Sequence, residues 1–228
     1  METLIFDCDG VLVDSEVIAE ATLLAQLQQW LPDLEPETVL RQSLGMTTDN
    51  ILKHLQQLSN HDLPSDALAR IDQAIEARLA DELEAVHGVA EAVSRLNLPL
   101  AIVSNSSRYR VCNSLATTEL NLLLGSVPLF TAEQVEHPKP DPAVYRFAAR
   151  QLKCIPQDCL VVEDSVSGVT AATAAGMTVI GFTGASHIEP GHDQRLVEAG
   201  AWRILPDMSG LQELVAIWRQ SRTAQEPQ

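Results

Sequence analysis

Two carboxylates, Asp7 and Asp9, stand between the apolar run Thr3 to Phe6 and Gly10, in the segment Phe6-Asp7-Cys8-Asp9-Gly10-Val11-Leu12. A carboxylate at the carboxyl end of a parallel strand lies where α/β sheets bind their ligands. There it can attack phosphorus as a nucleophile, while a second carboxyl serves as general acid and then as base. Gly10 permits a sharp turn at that point. Taken alone, the same residues are equally compatible with a solvated acidic turn.

Three further stretches carry comparable chemistry. Val103-Ser104-Asn105-Ser106 closes an apolar run and offers hydroxyls and backbone N–H groups to a phosphate oxygen at a helix start. Simple helix N-capping by serine is the alternative. His137-Pro138-Lys139-Pro140-Asp141-Pro142 sets one lysine among three prolines, which would fix an ammonium against phosphate at little ordering cost. A proline-rich connector with a solvated lysine fits the same residues. Val162-Glu163-Asp164-Ser165 ends a valine-rich run in two acids suited to a hard cation such as Mg²⁺. Acids favoured by a helix macrodipole would look the same.

Each stretch follows a segment that can position it. Short apolar runs at Thr3 to Phe6, Leu98 to Val103, Val127 to Phe130, Leu160 to Val162 and Thr178 to Phe182 alternate with helical patterns. Those patterns lie around Val89 to Leu96, Tyr109 to Leu115, Ala143 to Gln151 and Val166 to Ala175. The alternation predicts an α/β fold, a doubly wound parallel sheet of about five or six strands covered on both faces. From Ser15 to about Leu83 no strand-like run occurs. Helical periodicity there predicts an insertion of about four helices. One starts near Ser15; a second near Thr48 carries Ile51, Leu52 and Leu55; a third after Pro64 carries Leu68, Ile71, Ile75 and Leu79.

The 228 residues carry 15 basic and 31 acidic side chains, a formal net charge of −16. That balance argues against a nucleic-acid surface. It also requires an anionic ligand to find local cations, the first hint of a metal. No apolar run reaches membrane-spanning length and no leader-like segment is visible, so a soluble, cytoplasmic protein without a membrane partner is expected. Cys8, Cys112, Cys154 and Cys159 lack zinc-site spacing and read as reduced, buried small residues. A monomer is compatible with the sequence, which does not fix the oligomeric state.

In this order, the four stretches resemble the haloacid dehalogenase (HAD) superfamily, over essentially the whole chain to about Trp218. Lys139-Pro140-Asp141-Pro142 with Tyr145, and Glu163-Asp164-Ser165 with Gly168, resemble its β-phosphoglucomutase-like subgroup. The resemblance implies an HAD-like Rossmannoid core at residues 1–14 and 84–220 and a small α-helical cap at 15–83; the composition of the C-terminal stretch predicts a flexible tail at 221–228. The resemblance also implies Asp7 as nucleophile, Asp9 as general acid/base, Ser104 as phosphate binder and Lys139 as charge stabiliser. For Mg²⁺ it implies Asp7, the Asp9 carbonyl and Asp164 as ligands, with Glu163 coordinating or orienting. Candidate substrate contacts are Gly10, Asn105, Ser106, Ser107 and Arg108, with Arg41, Gln42, Thr47 and Lys53 on the cap.

Asp9 selects among the family's reactions, because an alkoxide leaving group needs a proton. A phosphosugar mutase is the alternative, but Ala19 and Thr48 stand where β-phosphoglucomutases carry a cap histidine and arginine. Phospho-accepting receiver domains use a similar set without a helical insertion after the first strand. The resemblance therefore implies a phosphatase acting on a small phosphorylated metabolite. Phe6 to Glu16 and Asp81 to Ala85 are similar to bacterial 6-phosphogluconate phosphatases, which implies a sugar or sugar-acid phosphate.

Overall fold

The computed structural model describes residues 1–35 and 48–223. These divide into two compact units, one formed by 1–14 with the chain from 84 onward, the other by Ser15–Leu83. Among the described residues, no helix is long and apolar enough to cross a membrane.

The first unit is built on six parallel strands: β1 (Thr3–Phe6), β2 (Leu100–Ser104), β3 (Leu129–Thr131), β4 (Cys159–Glu163), β5 (Thr178–Phe182) and β6 (Arg203–Leu205). Their spatial order is β3-β2-β1-β4-β5-β6. The chain winds outward from β1 to β3, returns to lay β4 beside β1, and winds outward the other way. Right-handed crossovers then put the helices of the two halves on opposite faces. The strands are mainly apolar because both faces are covered. Ile5, Ala101, Val103, Cys159, Val161 and Val179 join one buried cluster. The alternate residues Leu4, Phe6, Ile102, Leu160, Val162 and Ile180 are buried as well.

The register determines which side chains meet. Phe6 pairs with Ile102 on one side and with Val162 on the other. The residues just past those pairs, Asp7, Val103 with Ser104, and Glu163 with Asp164, therefore lie together at one end of the sheet. Around the strands lie α4 (Val89–Ser94), α5 (Arg108–Thr117), α6 (Asn121–Leu124), α7 (Ala143–Leu152), α8 (Val166–Ala174), α9 (His192–Glu198) and α10 (Leu211–Thr223). The first three helices, α1 to α3, belong to the second unit.

The sequence expectations differ from the structure in four places. Strand β6 and helices α6, α9 and α10 fall outside the assigned runs, the strand because it is short and begins with a charged residue. Helix α10 continues past Gln220 into the stretch expected to be a flexible tail, because Arg222 pairs with Asp158 and lies 3.8 Å from Glu2. Cys8 and Cys159 are buried as expected, but Cys112 is exposed and Cys154 only partly covered. Leu68 is 39% exposed, on the outer side of its helix.

The second unit contains, among the described residues, α1 (Glu16–Trp30), α2 (Thr48–Leu58) and α3 (Ala67–Glu82). Ile71, Ile75 and Leu79 are buried at helical spacing on α3, as are Ile51, Leu52 and Leu55 on α2. Arg78 of α3 donates to Thr22 of α1 at 3.1 Å. Asp33, beyond α1, accepts from Ser59 Oγ at 2.5 Å, Asn60 N at 2.8 Å and Asn60 Nδ2 at 3.1 Å. One carboxylate thereby joins the ends of α1 and α2.

Candidate active site

The loop after β1 is tightly wound. The Cys8 carbonyl accepts from the N–H groups of Val11, Leu12 and Val13, and Gly10 N–H donates to the Val13 carbonyl at 2.8 Å. Gly10 has φ +73°, a left-handed conformation that disfavours any side chain. It also has no room for one: a Cβ there would lie 2.0 Å from Asp164 Oδ2. Gly10 thus lets the Asp7–Asp9 loop close onto the end of β4. Val13 pairs antiparallel with Ala85, so the chain leaves and re-enters this unit through adjacent segments.

Asp7, Lys139 and Glu163 form the buried centre. Lys139 Nζ donates to Asp7 Oδ1 at 2.8 Å, to Glu163 Oε1 at 2.5 Å and to the Val103 carbonyl at 3.2 Å. The Tyr145 hydroxyl donates to Glu163 Oε1 at 3.0 Å, and Ser165 donates to Oε2 through its N–H at 3.2 Å and its hydroxyl at 3.0 Å. Both Glu163 oxygens are therefore engaged by the protein. Asn105 clasps the Lys139 main chain: its Oδ1 accepts from Lys139 N at 3.0 Å and its Nδ2 donates to Lys139 O at 3.2 Å. Lysine at 139 is thus held at both its backbone and its ammonium.

Burial alone would lower the Lys139 pKa, but Asp7 and Glu163 outweigh it and hold it well above the usual lysine value. Burial, followed by the charge of Glu163, pushes Asp7 well above the usual carboxylate range against the pull of Lys139. Burial and Glu163 likewise push the Tyr145 phenol up, which keeps it a donor. Asp7, Glu163 and Asp164 are all buried, with one oxygen of each within 4.8 Å of the others. Three carboxylates against one ammonium leave an excess of negative charge that is costly in a buried site. An all-oxygen donor set with that excess fits a hard divalent cation.

On the other side of β1, Ser106 Oγ donates to Asp9 Oδ2 at 2.7 Å, and Ser104 Oγ lies 3.5 Å from the same oxygen. Ser104 Oγ also accepts from Ser106 N at 2.9 Å. The second carboxylate of the pair is therefore held by the hydroxyls that end β2.

This constellation has relatives. The model of the family described as haloacid dehalogenase-like hydrolase matches residues 4–182. The chain belongs to that family. It is similar to the 6-phosphogluconate phosphatase of Escherichia coli K12, 32% identical over 192 residues, which span 83% of this chain and 86% of that one. Hexitol phosphatase A of the same organism is 33% identical over 180 residues, 77% of this chain and 80% of the relative. A haloacid dehalogenase-like protein of unknown function from Agrobacterium tumefaciens superposes with a TM-score of 0.84 at 36% identity, covering 95% of this chain and 98% of its own. Like the two phosphatases named above, this chain is an enzyme of the HAD phosphatase type.

In this HAD-type phosphatase the residues singled out from the sequence are not all placed alike. Asp7, Asp9, Ser104, Ser106, Lys139, Glu163 and Asp164 come together. Asn105 is adjacent, but its amide is committed to the Lys139 backbone. Arg108 directs its guanidinium to the Leu129 carbonyl at 2.7 Å, and its N–H donates to Glu133 at 2.7 Å. Lys53 is exposed on the helical unit. Arg41, Gln42 and Thr47 lie outside the described residues.

Two contributors were not read from the sequence. Asp14 accepts from Ser186 N at 3.2 and 3.3 Å, and His187 Nε2 lies 3.1 Å from Asp164 Oδ2. His187 lies in the polar connection just past β5, and Asp14 follows the tight turn after β1.

Proposed function

We propose that this HAD-type enzyme is a magnesium-dependent phosphomonoesterase that hydrolyses a phosphorylated sugar or sugar acid through a phosphorylated Asp7. The observation that carries the reading is the buried ammonium of Lys139, 2.8 Å from Asp7 Oδ1 beside the serine-held carboxylate of Asp9. A carboxylate oxygen of Asp7 attacks phosphorus, and the bond to the substrate oxygen breaks. Asp9 gives its proton to that oxygen, and the sugar hydroxyl leaves. Asp9, now a carboxylate, takes a proton from water as the water oxygen attacks phosphorus; the bond to Asp7 breaks and inorganic phosphate leaves. Lys139 and the Ser104 hydroxyl stabilise the phosphoryl oxygens in both steps. Asp7, the Asp9 carbonyl and Asp164 would hold Mg²⁺, which would supply further charge neutralisation. Because both Glu163 oxygens are engaged, its role is to orient Lys139 rather than to coordinate.

Hydrolysis is favoured over phosphoryl transfer between sugar positions by Ala19 and Thr48, which lack the groups a mutase cap needs. The unit at 15–83 is read as a cap that encloses small metabolites and excludes water, with hinges near Asp14 and residues 84–88. Similarity to phosphatases named for 6-phosphogluconate and hexitols supports the sugar class, with 6-phosphogluconate as first choice. The test is twofold. With Mg²⁺ and a radiolabelled substrate, wild type should form an acid-stable phosphoenzyme and Asp7→Asn neither phosphoenzyme nor turnover. Wild type should then show a higher kcat/KM on 6-phosphogluconate than on glucose 6-phosphate. Turnover by Asp7→Asn at the wild-type rate sinks the mechanism; preference for glucose 6-phosphate sinks the sugar-acid assignment alone.

A further inference from the structure

Beyond β5 the chain runs through Thr183-Gly184-Ala185-Ser186-His187 before reaching α9. This connection is anchored along its length. Thr183 N–H donates to the Leu205 carbonyl at 2.9 Å, Ser186 N–H to the Asp14 carboxylate, and Ile188 N–H to the Ala185 carbonyl at 3.3 Å. His192, at the start of α9, places Nε2 2.5 Å from the Asp164 carbonyl oxygen. Between these anchors, the His187 ring lies against the end of β4 with its side chain 21% exposed and Nε2 3.1 Å from Asp164 Oδ2.

Three segments meet at this point. A Cβ on Gly10 would approach both Asp164 Oδ2, at 2.0 Å, and His187 Cε1, at 2.9 Å. The ring, the carboxylate and the Gly10 backbone therefore lie close together. His187 Nδ1 is buried and has no hydrogen-bond partner among the described residues. A proton on Nδ1 would be an orphaned buried donor, whereas one on Nε2 points at a carboxylate. Hydrogen-bond accounting thus places the hydrogen of the neutral ring on Nε2. A hydrogen bond to one oxygen, with the Gly10 backbone close by, restricts the orientations open to that carboxylate.

We propose that His187 is a positioning residue of the cation site: its Nε2–H holds Asp164 Oδ2 and presets that carboxylate for a divalent ion. The proposal rests on the reading of Asp164 as a metal ligand given above. It differs from that reading in assigning function to the β5–α9 connection. Donors of this kind set ligand orientation, and their loss typically weakens metal binding by about 10–100-fold.

His187→Gln and His187→Asn carry the same amide on stems differing by one methylene. Glutamine can bring an N–H to the place of Nε2; asparagine cannot. Mg²⁺ binding to the purified protein would be followed by titration calorimetry, with Mg²⁺-dependent melting as a second readout. The asparagine variant should bind Mg²⁺ about 10–100-fold more weakly than wild type. Glutamine should restore most of the loss, and kcat at saturating Mg²⁺ should change far less than the Mg²⁺ concentration for half-maximal activity. Wild-type Mg²⁺ affinity in the asparagine variant, or a glutamine variant no better than asparagine, overturns the proposal. If asparagine at 187 prevents a cooperative melt, the comparison of glutamine with wild type decides: a 10-fold or greater loss of affinity overturns it. Asp164→Ala separates the two levels. Unchanged Mg²⁺ binding there defeats the underlying metal assignment, whereas lost binding there with normal binding in His187→Asn defeats only the role given to His187.

Discussion

Gly168 lies in the first turn of α8, where intrinsic propensity favours alanine by about 1 kcal/mol. The surroundings require the opposite. A Cβ at 168 would stand 1.8 Å from Glu163 Oε1 and 2.0 Å from Cδ. Ordinary contact needs about 3.5 Å, so the carboxylate would have to retreat by roughly 1.5–2 Å. That retreat pulls Oε1 away from Lys139 and Tyr145, which hold it at 2.5 and 3.0 Å. Breaking a buried ion pair costs about 3–5 kcal/mol, and overpacking without loss of the pair about 1–3 kcal/mol. Set against the helical gain, Gly168→Ala should destabilise the protein by about 2–4 kcal/mol. Displacing Lys139 by about an ångström should also lower turnover by roughly 100-fold. Urea denaturation measures the first effect, as a lower midpoint at unchanged slope; hydrolysis of para-nitrophenyl phosphate with Mg²⁺ measures the second. The mechanism also dictates a change of sign. In a Glu163→Ala background the obstacle is gone, so alanine at 168 should stabilise by up to about 1 kcal/mol. Equal destabilisation in both backgrounds, or an active and stabilised Gly168→Ala protein, would refute the reasoning.

Chelation with excess EDTA should abolish turnover, and adding Mg²⁺ back should restore it; activity that survives dialysis against chelator counts against a cation at Asp7 and Asp164. Asp33 is held at about 2, below its ordinary 3.8, chiefly by the Asn60 N–H and the Ser59 hydroxyl. A depressed folded-state value means that this stabilisation is present in full above about pH 4 and is lost as pH falls toward 2. Asp33→Asn should therefore lower the melting temperature at pH 6 and make little difference near pH 2, which calorimetric scans at both pH values would check.

The Asp7, Ser104 and Glu163–Asp164 stretches were legible because each ends an apolar strand at its carboxyl end, where a parallel sheet assembles its ligands, and the Lys139 stretch, in the β3–α7 connection, because three prolines single it out. The type of side chain and its place at a strand end are local properties. What a side chain reaches for is not. Asn105 and Arg108 read as substrate contacts because they follow Ser104. Their partners, the Lys139 backbone and the Leu129 carbonyl, are set by how the segments after β2 and β3 lie across each other. His187 escaped notice because neither Thr183 nor Ser186 is acidic, so the β5 end lacks the carboxylate signature of β1 and β4. The short strand β6 presents only Arg203, Ile204 and Leu205, too brief for a period to emerge.

The strand order explains why the chemistry divides as it does. The winding reverses between β1 and β4, leaving a crevice at their carboxyl ends, and Asp7 lies at that reversal. On the β2 side stand hydroxyls, Ser104 and Ser106, around Asp9. On the β4 side stand carboxylates, Glu163 and Asp164, supported by the connection beyond β5. Lys139, delivered from the β3–α7 connection, spans the two by touching Asp7, Glu163 and the Val103 carbonyl. In a chain of net charge −16, a phosphate dianion meets repulsion from the protein as a whole. The buried carboxylates at the reversal would add to it, since Lys139 alone cannot offset them. On the proposed reading, a divalent cation on the β4 side would reverse the local sign, while the serine side would supply neutral donors to the same phosphoryl group. Metal and phosphate would therefore, on that reading, be complementary ligands of one centre, each lowering the electrostatic cost of the other.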